Sequence, residues 1–329
     1  MSMKHRDPRV AFALAIASCG TLGDEPGGND ELPNRGINPY LLAEDVLVIE
    51  DSATTRYSRP SSIVLDDGLA LYVDATVGST STLALFTTRD GFAFAERPLP
   101  RVLGRSPGVS PRGGGAVVAF DRGEPRSLWI VTLDGLLPSG DPELLLEPAG
   151  ELDAGGASDP SLVEVDGELW IYYSALSVDG ERAIARARAD GNGTVMAREV
   201  VLRGHTGCTS PSGKADRCWD EDGLTSPEVR LSRSATGRRI FRMTFTGWNG
   251  SSAAIGFAAS FDGAGFEPLA DNPILSDRDR SLSDPTNAQR DDEYLLHFST
   301  EGGVGGARNE AGAPSERFEA AALSGRLGG

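Results

Sequence analysis

A short motif, a small or charged residue followed by proline, opens five successive segments of this 329-residue chain. The copies are Ser58-Arg-Pro-Ser-Ser62, Val109-Ser-Pro-Arg112, Ser158-Asp-Pro-Ser161, Thr225-Ser-Pro-Glu-Val229 and Ser283-Asp-Pro-Thr286. Each precedes an apolar, aromatic or β-branched stretch: Leu69–Val73, Ala116–Phe120, Leu169–Tyr173, Ile240–Phe245 and Tyr294–Phe298. Such stretches read as strands. Asp-Gly pairs at 67–68, 134–135, 166–167 and 262–263 fall where hairpins need turns. With 41 Gly and 20 Pro the chain is too rich in turn formers for long helices, and 39% hydrophobic residues suffice for a sizeable core.

The prolines recur at intervals averaging about 56 residues, longer than the ~40–50 of common propeller repeats. The spacing predicts an all-β chain whose residues 57 to about 325 form a five-bladed β-propeller. Each blade is a four-stranded sheet packed on its neighbours. Proline suits the head of the innermost strand, whose edge toward the channel is free. A β-sandwich with a small second domain also uses many short strands, but it leaves five Pro motifs without a reason.

The N-terminus carries a different signal. Lys4, Arg6 and Arg9 precede the apolar run Val10–Ala17 and then Ser18-Cys19-Gly20. That is the layout of a secretory signal, and the run is far below the ~20 residues a spanning helix needs. Ile16-Ala-Ser-Cys19 resembles the bacterial lipoprotein box, which implies lipidation of Cys19. An ordinary secreted protein cleaved nearby is the alternative. The expected organisation is residues 1–18 as lipoprotein signal, 19–44 as a polar tether leading into the fold, and 45–329 as the propeller. This implies an exported, lipid-anchored envelope protein that meets the membrane only through its anchor.

Cys208 and Cys218 are the other two cysteines. An oxidising envelope favours their pairing. A zinc site is the rival, but only His205 lies near as a further ligand. Asp220-Glu-Asp222 and Asp277-Arg-Asp279 offer oxygens to a calcium ion without an EF-hand pattern, so a solvated surface is expected there. No organic cofactor is implied. The 48 acidic and 31 basic residues leave a formal charge of −17, which argues against nucleic acid as a partner. A monomer is expected.

The run Ser158-Asp-Pro-Ser-Leu-Val-Glu-Val-Asp-Gly-Glu-Leu-Trp-Ile-Tyr-Tyr-Ser174 resembles a blade of the five-bladed glycoside hydrolase superfamily of arabinanases, β-xylosidases, invertases and levansucrases. So does the unit formed by Ser226-Pro-Glu-Val229, Phe241–Gly250 and Ile255–Gly263. The resemblance implies carbohydrate as the partner and glycoside cleavage as the chemistry. That chemistry needs one carboxylic acid to protonate the leaving oxygen and a second carboxylate to activate water or attack. Positions before and after each Pro share a face: Arg59, Ser110, Asp159, Ser226 and Asp284 before it, and Ser61, Arg112, Ser161, Glu228 and Thr286 after it.

In relatives the first-blade motif carries the general-base Asp, the third-blade Asp tunes, and a fourth-blade Glu is the acid. Asp159 matches the third position. Glu228 lies on the fourth-blade strand, but after the Pro where the acid usually precedes it. The first position is Arg59, which cannot act as a base because it stays charged. The resemblance therefore implies Glu228 as acid, Asp284 or Glu221 as base, and Asp159 as the residue that raises the acid's pKa. The alternative role for Asp284 is an ion pair with Arg59. Arg59, Arg112, Trp219 and Trp248 are the candidate substrate-binding residues, the two tryptophans because they sit in polar turns. Trp170 and His297 read as core. A non-catalytic glycan- or protein-binding module is the alternative, favoured by the absent first-blade Asp. A purely structural lipoprotein would need no inward-facing carboxylates.

Overall fold

The alternation of apolar stretches and Asp-Gly turns folds into antiparallel blades. The computed structural model describes residues 40–309 other than 113, 190–194, 207, 209–217, 234–236, 251, 270–271, 278 and 291–292. The expected signal, Cys19 and most of the expected tether lie outside the described residues. Strand β1 (Tyr40–Glu50) leads in. Blade 1 is β2 (Arg56–Leu65), β3 (Gly68–Val77), β4 (Thr80–Thr88) and β5 (Ala95–Arg97). Blade 2 is β6 (Arg105–Arg112), β7 (Gly115–Arg122), β8 (Ser127–Asp134) and β9 (Leu137–Leu146). Blade 3 is β10 (Gly156–Val165), β11 (Glu168–Leu176), β12 (Arg182–Ala189) and β13 (Val195–Leu202). Blade 4 is β14 (Gly223–Arg233), β15 (Arg239–Trp248), β16 (Ala253–Ser260) and β17 (Glu267–Pro268). Blade 5 takes β18 (Ser283–Arg290), β19 (Glu293–Thr300) and β20 (Gly303–Asn309) from the end of the chain and β1 from its start.

β1 pairs antiparallel with β20, so the ring is closed by main-chain hydrogen bonds between the two ends of the fold. The propeller therefore includes residues ahead of position 45. Core formation follows the blade faces. Five apolar clusters lie one between each pair of neighbours. Tyr72 and Phe120 pack between blades 1 and 2, and Val304 of blade 5 packs with Leu71 and Phe86 of blade 1. Burying both faces of every sheet against a neighbour is what makes the ring stable.

Each inner strand starts with a bulge. The register breaks between Ser58 and Ser61, Arg105 and Gly108, Ser158 and Ser161, Thr225 and Glu228, and Ser283 and Thr286. In each break the residue before proline has φ between 51 and 53°: Arg59, Ser106, Asp159, Ser226 and Asp284. Pre-proline residues ordinarily avoid this region, and non-glycine residues enter it rarely. The second copy of the motif is thus Ser106-Pro107, a correction to the sequence-based register. Ser110-Pro111 lies farther along β6 in unbroken pairing with β7, and Arg112 pairs with Gly115 beside the hairpin, exposed. Strand alternation cannot bring Arg112 to the channel mouth from that end of the strand.

Proline has no N–H, and the donors flanking it turn to the preceding blade, both of them in blades 1 and 4 and one of them in blades 2 and 5. The lower donor lies two residues past Pro. Val109 donates to Ser61 Oγ at 3.0 Å, Val229 to Ser161 Oγ at 2.9 Å and Ser62 to Thr286 Oγ1 at 3.0 Å. Blade 2 has Gly108 at the acceptor position, where a Cβ would stand 1.8 Å from the carbonyl oxygen of Pro160. A hydroxyl cannot fit there, and the backbones of blades 2 and 3 touch instead. Gly108→Ala should therefore lower stability by about 1–3 kcal/mol or more. Gly115→Ala, whose Cβ would meet nothing nearer than 3.8 Å, should stay within ~0.5 kcal/mol of the parent. Urea-denaturation midpoints of the two variants check this.

Candidate functional site

In blades 1, 4 and 5 the upper donor of the bulge, the N–H of the pre-proline residue, meets the second strand of the preceding blade. Arg59 donates to Ser299 Oγ at 2.7 Å, Ser226 to Ser174 Oγ at 2.7 Å and Asp284 to Thr246 Oγ1 at 2.8 Å. The same register position holds Asp74 in β3 and Asp121 in β7. Three blades thus carry a hydroxyl there, and two carry a carboxylate that is 0% exposed.

The bulges aim Arg59, Ser106, Asp159, Ser226 and Asp284 at one mouth, where they line a cavity of about 20 Å³ with their prolines and Glu228. The side chain of Arg59 is 32% exposed. Its Nη1 donates to Asp74 Oδ2 at 3.0 Å, and its Nε lies 3.8 Å from Asp159 Oδ1. Burial works against the Arg59 charge, but Asp284, Asp159, Asp74 and Asp121 outweigh it and push its pKa up. Asp284 accepts hydrogen bonds from Ser226 Oγ at 2.6 Å and Ser283 Oγ at 2.9 Å. Asp159 accepts one from Ser158 Oγ at 2.9 Å.

The two buried carboxylates differ in their surroundings. Burial raises the Asp74 pKa, countered by Arg59 and by a hydrogen bond from Thr76 Oγ1. Asp121 accepts no hydrogen bond among the described residues, and its nearest cation is Arg126 Nη1 at 3.4 Å. Burial and then the charge of Asp159 push it up to about 7. A carboxyl group here is held near half-protonation at neutral pH.

Above the small cavity opens a cleft of about 610 Å³, within the range of small-ligand sites. Asp159, Asp284, Arg59 and Ser226 form its floor. Trp248, Arg126 and Arg182 stand in its walls. The Trp248 indole N–H donates to Thr225 Oγ1 at 2.9 Å, which fixes the ring beside the floor.

The structure separates the residues singled out from sequence. Asp159, Asp284, Arg59 and Trp248 come together in the cleft. Glu228 does not reach it. It is buried one level down the channel, paired with Arg230, and accepts a 3.4 Å bond from Thr286 Oγ1. Burial raises the Glu228 pKa and Arg230 opposes the rise. Arg230 reaches on to the carbonyl of Ser62 at 2.6 Å, tying blade 4 to blade 1 across the channel. Glu221 binds the N–H of Cys218 at 3.2 Å and is exposed outside the cleft. Trp219 packs on Phe245 at 5.8 Å, against Gly247 and Gly256, where a Cβ would stand 2.3 and 2.6 Å from its ring. Trp219 therefore fills the wedge between blades instead of walling the cleft.

Cys208 and Cys218 form a disulfide with Cα atoms 5.2 Å apart, and His205 Nδ1 lies 2.8 Å from Asp220 Oδ2. No group of three or more His, Cys, Asp or Glu suited to a metal occurs among the described residues. Trp170 stacks on Phe241 at 5.2 Å. His297 is fully buried, bonded through Nε2 to the Gly91 carbonyl at 2.8 Å, with burial pushing it down to about 4. Asp74, Asp121, Arg126 and Arg182 escaped the sequence reading. The first two had a signal: Val73-Asp74, Phe120-Asp121, Tyr173-Ser174, Phe245-Thr246 and Phe298-Ser299 are one repeated pair of apolar then polar residue.

No protein-family model matches the chain, and no curated protein sequence matches it. Solved structures do. A glycosyl hydrolase from Bacteroides ovatus is similar with a TM-score of 0.61 at 14% identity, over 82% of this chain and 93% of that one. A structure described with the GH130 mannoside phosphorylases and glycoside hydrolases that target β-1,2 mannosidic linkages in Candida mannan has a TM-score of 0.56 at 16% identity. It covers 89% of this chain and 98% of its own. An exo-1,5-α-L-arabinanase from a bovine ruminal metagenomic library has a TM-score of 0.51 at 12% identity, over 78% and 94% of the two chains. The chain has the fold of the five-bladed propeller glycoside hydrolases.

The elevated Asp121 carboxyl has a consequence for stability. Its folded pKa lies above the ordinary 3.8, so between about pH 4 and 7 the folded chain holds a proton that the unfolded chain releases. The stability it contributes is fully present at the acid end and is lost as pH rises through that window. Asp121→Asn should shrink the fall in unfolding free energy from pH 5 to pH 8 by roughly 1–3 kcal/mol. Asp74 and Glu228 act with the same sign in parent and variant and cancel in the difference. Denaturant titrations of both proteins at the two pH values measure it.

Proposed function

We propose that the cleft binds carbohydrate and that Asp159 and Asp284 together hydrolyse a glycosidic bond in it. The observation that carries this reading is the ring of bulges. Five strained turns deliver five side chains to one mouth, two of them carboxylates, on the floor of a concave cleft with an indole in its wall. One carboxyl protonates the leaving oxygen while the other activates water or attacks the anomeric carbon. Seryl hydroxyls from Ser226, Ser283 and Ser158 orient the two groups. Trp248 offers an apolar ring face for stacking on a sugar. Support comes from the similar solved structures, which include a glycosyl hydrolase and an arabinanase.

Glu228 takes no direct part in this scheme, because its ion pair with Arg230 lies beneath the floor. Arg59 stands where a first-blade base would and serves as the cation between the carboxylates. That same substitution favours a second reading, a glycan-binding propeller without turnover. We place the protein in the bacterial envelope, exported by residues 1–18 and held by a lipid on Cys19, as a monomer with no nucleic-acid partner.

Sugar release from a panel of plant and bacterial polysaccharides and aryl glycosides tests the chemistry. Asp159→Asn and Asp284→Asn should each lower release by about 10²–10⁴-fold, with thermal unfolding showing that both variants remain folded. Trp248→Ala should weaken retention on the same polysaccharide. Saturable retention with no release from the parent would establish the binding reading instead. Separately, cells fed a clickable palmitate analogue should label the parent chain and leave Cys19→Ser unlabelled. Labelling of both would remove the anchor.

A further inference from the structure

We infer that the cleft receives a sugar bearing an anionic substituent, with the guanidinium groups of Arg126 and Arg182 as its receivers. The inference rests on the carbohydrate reading and names the substrate class. It starts from charge. The chain is strongly acidic at −17, yet three arginines and three acids line the cleft. The lining of the cleft is thus balanced in formal charge where the chain as a whole is strongly acidic.

Local pairing sharpens the contrast. Arg59 is engaged by Asp74 and Asp159, and Glu124, 82% exposed at the rim, is 3.5 Å from Arg105. Arg182 is exposed and makes no side-chain ion pair or hydrogen bond among the described residues. Arg126 has one carboxylate, Asp121, at 3.4 Å and without a hydrogen bond. With that carboxyl pushed up to about 7, Arg126 is only partly compensated at neutral pH.

Both arginines are fixed at their stems, and neither head is held by a hydrogen bond among the described residues. The Arg126 carbonyl accepts the Ala157 N–H at 3.0 Å. Arg182 pairs with Leu176 at the start of β12, pressed by Gly223, where a Cβ would lie 2.6 Å from its own. Gly155 and Gly156 line the cleft with them. Two forked donors across a glycine strip suit the paired oxygens of a carboxylate or sulfate. Asp159 and Asp284 repel such a group. The substituent is therefore held on the side of blades 2 and 3, which orients the sugar with its glycosidic bond over the floor.

The test is retention and calorimetric titration of the full chain with matched glycans: uronate-containing polysaccharides against their carboxyl-reduced forms, and sulfated ones against their desulfated forms. The expected result is at least a tenfold preference for one anionic form over its neutral match, weakening as salt is raised. Arg182→Gln and Arg126→Gln should each bring that preference at least fivefold nearer to unity. Preference within the uronate pair identifies a carboxylate, and preference within the sulfated pair a sulfate. Equal binding of both members of each pair, or an unchanged preference in Arg182→Gln, overturns the inference while leaving carbohydrate binding intact. Absence of binding to every glycan overturns both.

Discussion

Everything at the mouth depends on one backbone constraint, a left-handed residue forced in front of proline at the head of each inner strand. A non-glycine residue in that conformation costs about 1–3 kcal/mol, and here it is repeated five times. The cost is offset locally. Proline supplies no donor, and in blades 1 and 4 the N–H groups on both sides of it cross to the preceding blade. Bonds such as Ser226 to Ser174 and Val229 to Ser161 make the strained turn part of the blade interface. The device that aims side chains inward is also the one that joins the blades.

Because the bulges are equivalent, the differences among their side chains define the chemistry. Blades 3 and 5 present carboxylates, blades 2 and 4 hydroxyls, and blade 1 a cation. One layer down, Glu228 and Arg230 close the channel between blades 4 and 1. A buried pair of this kind is costly to break from one side, so it suits a floor better than a reacting group. The acids are thereby separated by depth, with Asp159 and Asp284 at the cleft and Glu228 beneath it.

The ring was legible in sequence because proline and the strand after it are local signals. The second copy was displaced because β6 contains two Ser-Pro pairs, Ser106-Pro107 and Ser110-Pro111, and only the bulge distinguishes them. Asp74 and Asp121 were missed for another reason. At the end of an apolar run an acid reads as a strand terminus, and its register with the bulge on the neighbouring strand is a tertiary fact. The tryptophans show the same limit. Trp219 and Trp248 both sit in polar turns, and what sends one inward is the absence of side chains at Gly247 and Gly256. The Cys208–Cys218 pairing could be read directly, because the two thiols lie only ten positions apart.

Arg59 is best understood through the acids around it. Asp74, Asp121, Asp159 and Asp284 all bear on this one guanidinium, and without it four carboxylates would crowd one mouth. Like charges at short range raise each other's pKa and work against the fold. Two of these acids occupy positions where the other blades keep a hydroxyl, and both are fully buried. A cation on blade 1 is what makes them tolerable: it bonds Asp74 directly and faces Asp159. Asp121 lies farther from compensation, beside Arg126, and its carboxyl is the one pushed up to about 7. The arginine in the first blade is therefore the counter-ion of the acid cluster at the mouth. The charge balance of the mouth rests on Arg59 among Asp74, Asp159 and Asp284 and on Arg126 beside Asp121, and the cleft opens over it.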